Sequence, residues 1–512
     1  MTNLPRLPYS IQKTSGEINV MRGINLSDNT QDGDLAGCKN LSIRRFPYFT
    51  TRRSRRQLTE YAGATALTSW EKLVVVQGGQ IYYDGAARGA ISNGEKQFAV
   101  VNSKLVIWPD KKYLDMNTLT VKDLGAAASG SGATFGTNTI TVSWSGTDLS
   151  TLFSAGDCIT ISGCTAQEGN NKDIVIQEVA AKVLTFTDGA FTAATESGTI
   201  TLERKIPDMD FVFENDNRLW GCSNETKTIY ASALGDPTNL YVYEGLSTDS
   251  YALTVGSEGD FTGCCKLSAS ILFWKDHTLH KILGDIPADY TLYTYNLEGV
   301  LAGCNKSLQV INETLYYMSA HGVYAYSGGT TALLTMEFGQ HHFTDAVAGT
   351  DGMNYYLSAR EGEEQHLFVY NTTHGTWVRE DETKATDFTR MGRDLYFLDD
   401  GGNVFLADSG VESNTIEWYA QFAPFYETVQ GRKGFSKLLL RVELPKTSWL
   451  LVEMRCDGGR WLRVGEIRGG ERDVEALPIG VDRCDKFELR LSGKGQCTVL
   501  SMLRQFTVGS ER

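Results

Sequence analysis

The chain has 512 residues, with 48 Lys+Arg against 62 Asp+Glu and a formal net charge of −14. At 41% hydrophobic and 21% charged it has the balance of a folded globular protein, which excludes a disordered one. No run approaches the roughly 18 apolar residues of a membrane helix, and the first residues, MTNLPRLPYSIQKTSGEINVMRG, lack the apolar stretch of a signal peptide. At roughly 150 residues per domain the length suggests two to four domains. The 52 Gly against 10 Pro predict many tight turns, and 23 Tyr, 22 Phe and 9 Trp favour strands.

Residues 1–56 have no strong period and are expected to form an extended arm. They carry ten basic residues against four acids (Glu17, Asp28, Asp32, Asp34), a local +6 that leaves about −20 on the remainder. The densest charge lies at Arg44, Arg45, Arg52, Arg53, Arg55 and Arg56, around the aromatic run Phe46-Pro47-Tyr48-Phe49. Such a run is either a solvated surface or a contact with an acidic partner, DNA or a neighbouring copy of the chain. The acidic remainder disfavours groove-binding DNA recognition, because like charge repels phosphate.

From residue 57 an internal repeat begins. One unit is an apolar strand, a polar turn and a second, aromatic-rich strand. It reads KLVVVQGGQIYYDG from Lys72, KLVIWPDKKYLDM from Lys104 and RLWGCSNETKTIYASALG from Arg218. It returns as ILFWKDHTLHKILG from Ile271, TLYYMSAHGVYAYSGG from Thr314, NYYLSAREGEEQHLFVYN from Asn354 and DLYFLDDGGNVFLADSG from Asp394. A further strand precedes most copies, as at 98–101, 211–213, 308–311 and 388–391. Aligned on Leu73, Leu105, Leu219, Leu272, Leu315, Tyr355 and Leu395, the gaps are 32, 114, 53, 43, 40 and 40 residues. A period near 40 with three or four strands per unit predicts a β-propeller over 57–127 and 207–410, of seven blades, with six or eight left open at the closure.

The long gap leaves room for a small inserted domain. Its entry, Gly-Ala-Ala-Ala-Ser-Gly-Ser-Gly at 125–132, has the composition of a flexible linker. Strand-like runs at 139–144, 159–161, 174–176, 183–186 and 199–202 predict a small all-β domain over 128–206. After Gly410 the repeat stops. Leu438, Leu440, Val442 and Leu444 alternate with charged neighbours, as do Phe487, Leu489 and Leu491, which predicts a β-sandwich over 413–512.

Chemistry is sparse. His277 and His280 are expected across a hairpin turn, and His341 and His342, being adjacent, point to opposite faces of a strand. Neither pair makes a joint metal ligand. Asp399-Asp400-Gly401-Gly402-Asn403 lacks the distant Glu of a calcium loop and reads as a turn. Asp210 and Asp345 are the carboxylates a propeller hydrolase would draw on. The ten cysteines form no C-x-x-C pair and are expected as reduced, mostly buried thiols. No catalytic residue, cofactor or metal is predicted.

The run Gly23-Ile24-Asn25-Leu26-Ser27, the acidic stretch after it, and Lys39-Asn40-Leu41 with its basic run resemble the entry motif of bacteriophage tail nozzle, or tail tubular, proteins and their tail-hub relatives. Arg218-Leu219-Trp220 with Tyr230-Ala231-Ser232 and Gly235-Asp236-Pro237 resembles a blade of that family. Leu315-Tyr316-Tyr317 with Gly322-Val323-Tyr324, and Gly375-Thr376-Trp377, are similar. The resemblance implies a structural virion protein made in the bacterial cytoplasm and assembled as a ring, usually hexameric. The ring would lie beneath the portal and adaptor, extend the DNA ejection channel, pass DNA without reading its sequence, and bear fibres or a needle. The alternatives are a receptor- or glycan-binding tail adhesin and a polysaccharide hydrolase or lyase.

Overall fold

The computed structural model describes residues 12–427, 431–470, 474–480 and 483–508; the first eleven residues of the expected arm lie outside them. The chain is all-β, its helical content confined to single 3-10 turns among the described residues. It divides into two compact units. One comprises Glu60–Leu315 with Tyr326–Thr331, the other Met1–Thr59 with Tyr316–Ala325 and Ala332–Arg512.

The first of these units holds four four-stranded antiparallel sheets. Each takes one predicted hairpin as its second and third strands: Lys72–Gln77 with Gln80–Tyr83, Lys104–Trp108 with Lys112–Asp115, Arg218–Ser223 with Thr228–Ala231, and Ser270–Trp274 with Thr278–Leu283. The second strands Lys104–Trp108, Arg218–Ser223 and Ser270–Trp274 are buried almost throughout, and Lys72–Gln77 is buried at Val74, Val75 and Val76, as their apolar stretches require. Successive sheets pack face on face. Val74 and Val76 meet Leu105 and Ile107; Val106 and Trp108 meet Val212 and Leu219; Trp220 and Cys222 meet Ile271 and Phe273.

Between the second and third of these sheets, residues 127–204 form a seven-stranded sheet with its own core, including Phe135, Ile140, Phe186, Ile200 and Leu202. Its entry is not a linker. Ala127–Phe135 is a strand paired along Ala194–Arg204. The small residues serve packing here: a Cβ at Gly130 would stand 2.3 Å from the Trp144 ring.

In the other unit, Thr344–Thr350, Asn354–Glu361, Glu364–Asn371 and Thr376–Asp381 make another four-stranded sheet. The next consists of Ala385–Met391, Asp394–Asp399 and Val404–Leu406, and takes its fourth strand from Arg56–Leu58. A further four-stranded sheet comprises Gln309–Ile311, Thr314–Ser319, Gly322–Tyr326 and Thr331–Leu333. The described residues thus contain seven four-stranded sheets, one for each predicted hairpin.

The remaining strands of this unit form two six-stranded sheets built from both ends of the chain. Lys433–Glu443, Val474–Pro478 and Thr498–Val508 are joined by Gln12–Ile18, Leu41–Ser42 and Phe49–Thr51. Glu417–Phe422, Trp449–Cys456, Leu462–Arg468 and Phe487–Lys494 are joined by Gly23–Ile24 and Asp34–Lys39. The inner faces meet through aromatic rings: Phe435 stacks on Phe487 at 4.3 Å and Phe49 reaches Phe422 at 6.2 Å. The described part of residues 1–56 is therefore woven into sheets and is no free arm. Met21, Ile24, Leu35, Cys38, Leu41 and Phe49 bury enough apolar surface to hold it there.

Candidate interaction site

Of the six arginines singled out by charge density, Arg44 and Arg45 lie between the strands Leu41–Ser42 and Phe49–Thr51, Arg52, Arg53 and Arg55 lie on the segment leading to the strand Arg56–Leu58, and Arg56 begins that strand. The chain's own carboxylates meet five of them. Arg55 donates to Glu380 Oε2 at 2.8 Å and to Thr383 Oγ1 at 2.7 Å, and lies 2.9 Å from Asp381 Oδ2. Arg52 donates to Asn40 Oδ1 at 2.7 Å and to Asp381 Oδ2 at 3.3 Å. All four side chains of this cluster are only 12–13% exposed. Burial depresses the Arg52 pKa. At Arg55 burial acts the same way, but Glu380 and Asp381 outweigh it and hold the pKa above the ordinary value. Burial would raise the Asp381 pKa, yet Arg55, Thr383 and Arg52 bring it below the usual carboxylate range.

Outside this buried knot the pairs are looser. Arg44 reaches Glu412 at 2.8 Å, Arg53 reaches Asp408 and Glu412 at 3.5 Å, and Arg45 forks onto Glu443. Arg56 is exposed. The acidic partner that the sequence reading sought in DNA or a second copy is, for five of the six, a carboxylate of the same chain. The cluster fastens the N-terminal segment to the loops around 380–382 and 408–412.

The other candidate chemistry is also engaged locally. Asp210 accepts from the Asn224 backbone N–H at 2.6 Å, and Asp345 pairs with Arg360 at 2.6 Å. Asp399 accepts from the Asn403 N–H at 2.7 Å, closing the turn expected there. His277 and His280 part company: His280 is 2% exposed and does not share a site with its neighbour in the turn. Its Nε2 lies 2.7 Å from Ser257 Oγ and its Nδ1 3.1 Å from Thr294 Oγ1. Lys275 Nζ donates to the carbonyls of Ser257 and Gly259 at 2.8 and 2.9 Å.

A Ser–His pair begins a nucleophile arrangement. Here the third member is a hydroxyl where an orienting carboxylate is needed. Burial, with the Lys275 charge beside it, pushes the His280 pKa down to about 4, so the imidazole is a weak base near neutrality. The cluster instead clamps the 256–261 loop. Sequence reasoning missed it because Ser257, His280 and Thr294 sit on three different elements.

Two kinds of cavity accompany these groups. In the unit containing the inserted sheet, a cleft of about 710 Å3 is lined by Lys104, Tyr113, Lys122, Phe153, Arg204 and Asp236. Its charges are paired: Arg204 with the buried Asp157 at 2.7 Å, Lys122 with Asp115 at 2.7 Å, Lys104 with Asp236 at 3.5 Å. Arg204 also donates to the Leu124 carbonyl at 2.8 Å, tying the inserted sheet to the strand before it. In the other unit, cavities of about 360 and 310 Å3 flank Phe46, whose ring stacks on His374 at 3.9 Å. Both are lined by the N-terminal segment and the 371–380 strand region, and mark where that segment is laid down.

No protein-family model and no curated protein matches the chain. Among solved structures, the chain is similar to the extracellular domain of a hybrid two-component system of B. thetaiotaomicron at 9% identity, over 91% of this chain and 64% of that one, with a TM-score of 0.37. It is similar to PorZ, a bacterial surface component of the type-IX secretion system of Porphyromonas gingivalis, at 13% identity over 80% and 46% of the two chains, with a TM-score of 0.36. Hsv2 of Kluyveromyces lactis matches at 12% identity over 39% and 60%, with a TM-score of 0.28. The chain spans less than two thirds of the length of each.

Proposed function

We propose that the chain is a non-catalytic scaffold: a seven-bladed β-propeller carrying an inserted β domain and a β-sandwich made from both chain ends. The observation that carries this reading is the strand Arg56–Leu58, which completes the seventh of seven four-stranded sheets. A ring of blades needs such a fastening between its first and last members, because no blade buries its faces alone. The face-on-face packing of consecutive sheets supports the same reading.

In its specific form the scaffold is a ring subunit of a bacteriophage tail, of the nozzle, tubular or hub kind. Support comes from the resemblance at Gly23–Ser27 and in the blades, and from an acidic body past which DNA can slide with few phosphate contacts. Electron microscopy of the purified protein, with localisation of the chain in virions, tests it. Closed rings and a tail position are expected; a strict monomer absent from virions overturns the assignment.

A second reading, a glycan-binding adhesin, has one observation in its favour. Tyr293 and Tyr295 stand 44% and 42% exposed, two residues apart on the edge strand Thr291–Asn296, where both rings are open to a sugar face. Binding on a glycan array that is lost in the Tyr293→Ala, Tyr295→Ala double variant would favour it.

A further inference from the structure

The two six-stranded sheets bring together two cysteines that stand apart in the chain. Cys456 ends the strand Trp449–Cys456, opposite Phe487. Cys484 lies just before Phe487–Lys494, where it exchanges two backbone hydrogen bonds with Lys433, at 2.8 and 3.0 Å. Asp457 clasps the two segments. Its Oδ1 accepts from the N–H groups of Asp485 and Lys486 at 3.0 and 2.8 Å, and its own N–H donates to the Lys486 carbonyl at 2.9 Å. The residue after Cys456 is thus held against the residues after Cys484, and the two thiols meet in a side-chain hydrogen bond.

Both cysteines are reduced thiols. Cys484 is 1% exposed and Cys456 is half-buried. Both line a cavity of about 560 Å3 whose rim includes the exposed Asp457, Gly459 and Arg460, so solvent reaches the pair from the Cys456 side. Burial, then the Cys456 thiol beside it, push the Cys484 thiol above its ordinary pKa, against the pull of Lys433. A second touching pair lacks this access: Cys222, which meets Cys264, is fully buried in the core between packed sheets.

We propose that Cys456 and Cys484 are an oxidative modification site, converted to one intramolecular disulfide by a low-molecular-weight disulfide of the glutathione class. Cys456, the accessible member, attacks one sulfur of oxidised glutathione as its thiolate. The S–S bond of the oxidant breaks, and one glutathione leaves as a thiolate with the bonding pair. Cys484 then gives up its proton and attacks the Cys456 sulfur, and the second glutathione leaves in the same way. Two protein thiols are oxidised, one oxidised glutathione is reduced, and the two protons end on the two glutathione thiols. The sulfurs have only to close from contact to the bond length of about 2.05 Å, with both backbones already fixed by hydrogen bonds. The new bond encloses the strands Leu462–Arg468 and Val474–Pro478 in a covalent loop. Such a loop restricts the unfolded chain and so favours the folded one.

The test uses the full-length, tag-free protein, reduced, desalted without oxygen and incubated with oxidised glutathione. Thiols are counted by alkylation, cross-links are mapped by peptide mass spectrometry, and melting is followed with and without dithiothreitol. The thiol count should fall from ten to eight, with one Cys456–Cys484 peptide, a raised melting midpoint and full reversal by dithiothreitol. Cys484→Ser removes the resolving thiol and should leave one glutathione on Cys456. Cys456→Ser removes the accessible thiol and should keep all its remaining thiols. The map of the unaltered protein decides the matter even if a variant misfolds. Ten thiols retained, glutathione persisting on Cys456 of the unaltered protein, or a cross-link at Cys222–Cys264 or between chains instead, overturns the proposal.

Discussion

Arg55 and Arg45 carry the same charge in unlike surroundings, and this difference decides what each contributes. Arg55 is 12% exposed and faces Glu380 and Asp381, whereas Arg45 is 37% exposed on Glu443. Removing one partner of a buried pair strands the other charge. Arg55→Ala is therefore expected to cost about 3–5 kcal/mol in denaturant unfolding, and to loosen the N-terminal segment. Arg45→Ala should cost no more than about 1 kcal/mol, and less in high salt. His280 offers a second measurement at this scale. Its folded pKa of about 4 lies below the unfolded value near 6.5, so the unfolded chain binds the extra proton between them. The stability it confers is complete above about pH 6.5 and is lost as pH falls towards 4. His280→Gln should flatten the stability–pH curve in that window, measured by melting midpoints. Neither behaviour was legible in the sequence. The arginines were visible as charge, but their partners lie more than 300 residues away in the chain, and His280 was read beside His277 when its true neighbours are Ser257 and Thr294.

The strands show why some elements announce themselves and others do not. The seven hairpins were legible because each second strand carries an apolar stretch such as Leu105–Trp108 and is followed by a polar turn. Leu41–Ser42 and Gly23–Ile24 are two residues long, too short to show any period, and their sheet partners lie at the far end of the chain. The 1–56 segment thus reads as an arm until its pairing with Thr498–Val508 and its contribution to the sheet containing Glu417–Phe422 are seen. The glycine-rich entry to the inserted domain was misread for a different reason: composition cannot distinguish a residue that is small for mobility from one that is small for packing. Gly130→Val makes the distinction. It would drive a side chain into Trp144 and is expected to destabilise the inserted sheet by about 1–3 kcal/mol or more, read from the near-ultraviolet circular dichroism of the tryptophan. A true linker would tolerate it without change.

At the scale of the whole molecule, the proposal joins three observations: a repeat counted seven times, a seventh sheet closed by a strand from the N-terminal side, and a segment locked in place by five arginines of the same chain. On that proposal the N-terminal side of the chain supplies the strand that completes the last sheet. Those observations also locate its weak point, since the strand Arg56–Leu58 is three residues long and depends on the Arg52–Arg55 knot beside it. The most direct test is an experimental map of the full-length protein, by cryo-electron microscopy or crystallography, at a resolution that traces strands. The account predicts seven four-stranded sheets radiating from one axis, with Arg56–Leu58 paired to Val404–Leu406 in the last. Sheets arranged in an open row, or Arg56–Leu58 paired elsewhere, would contradict it.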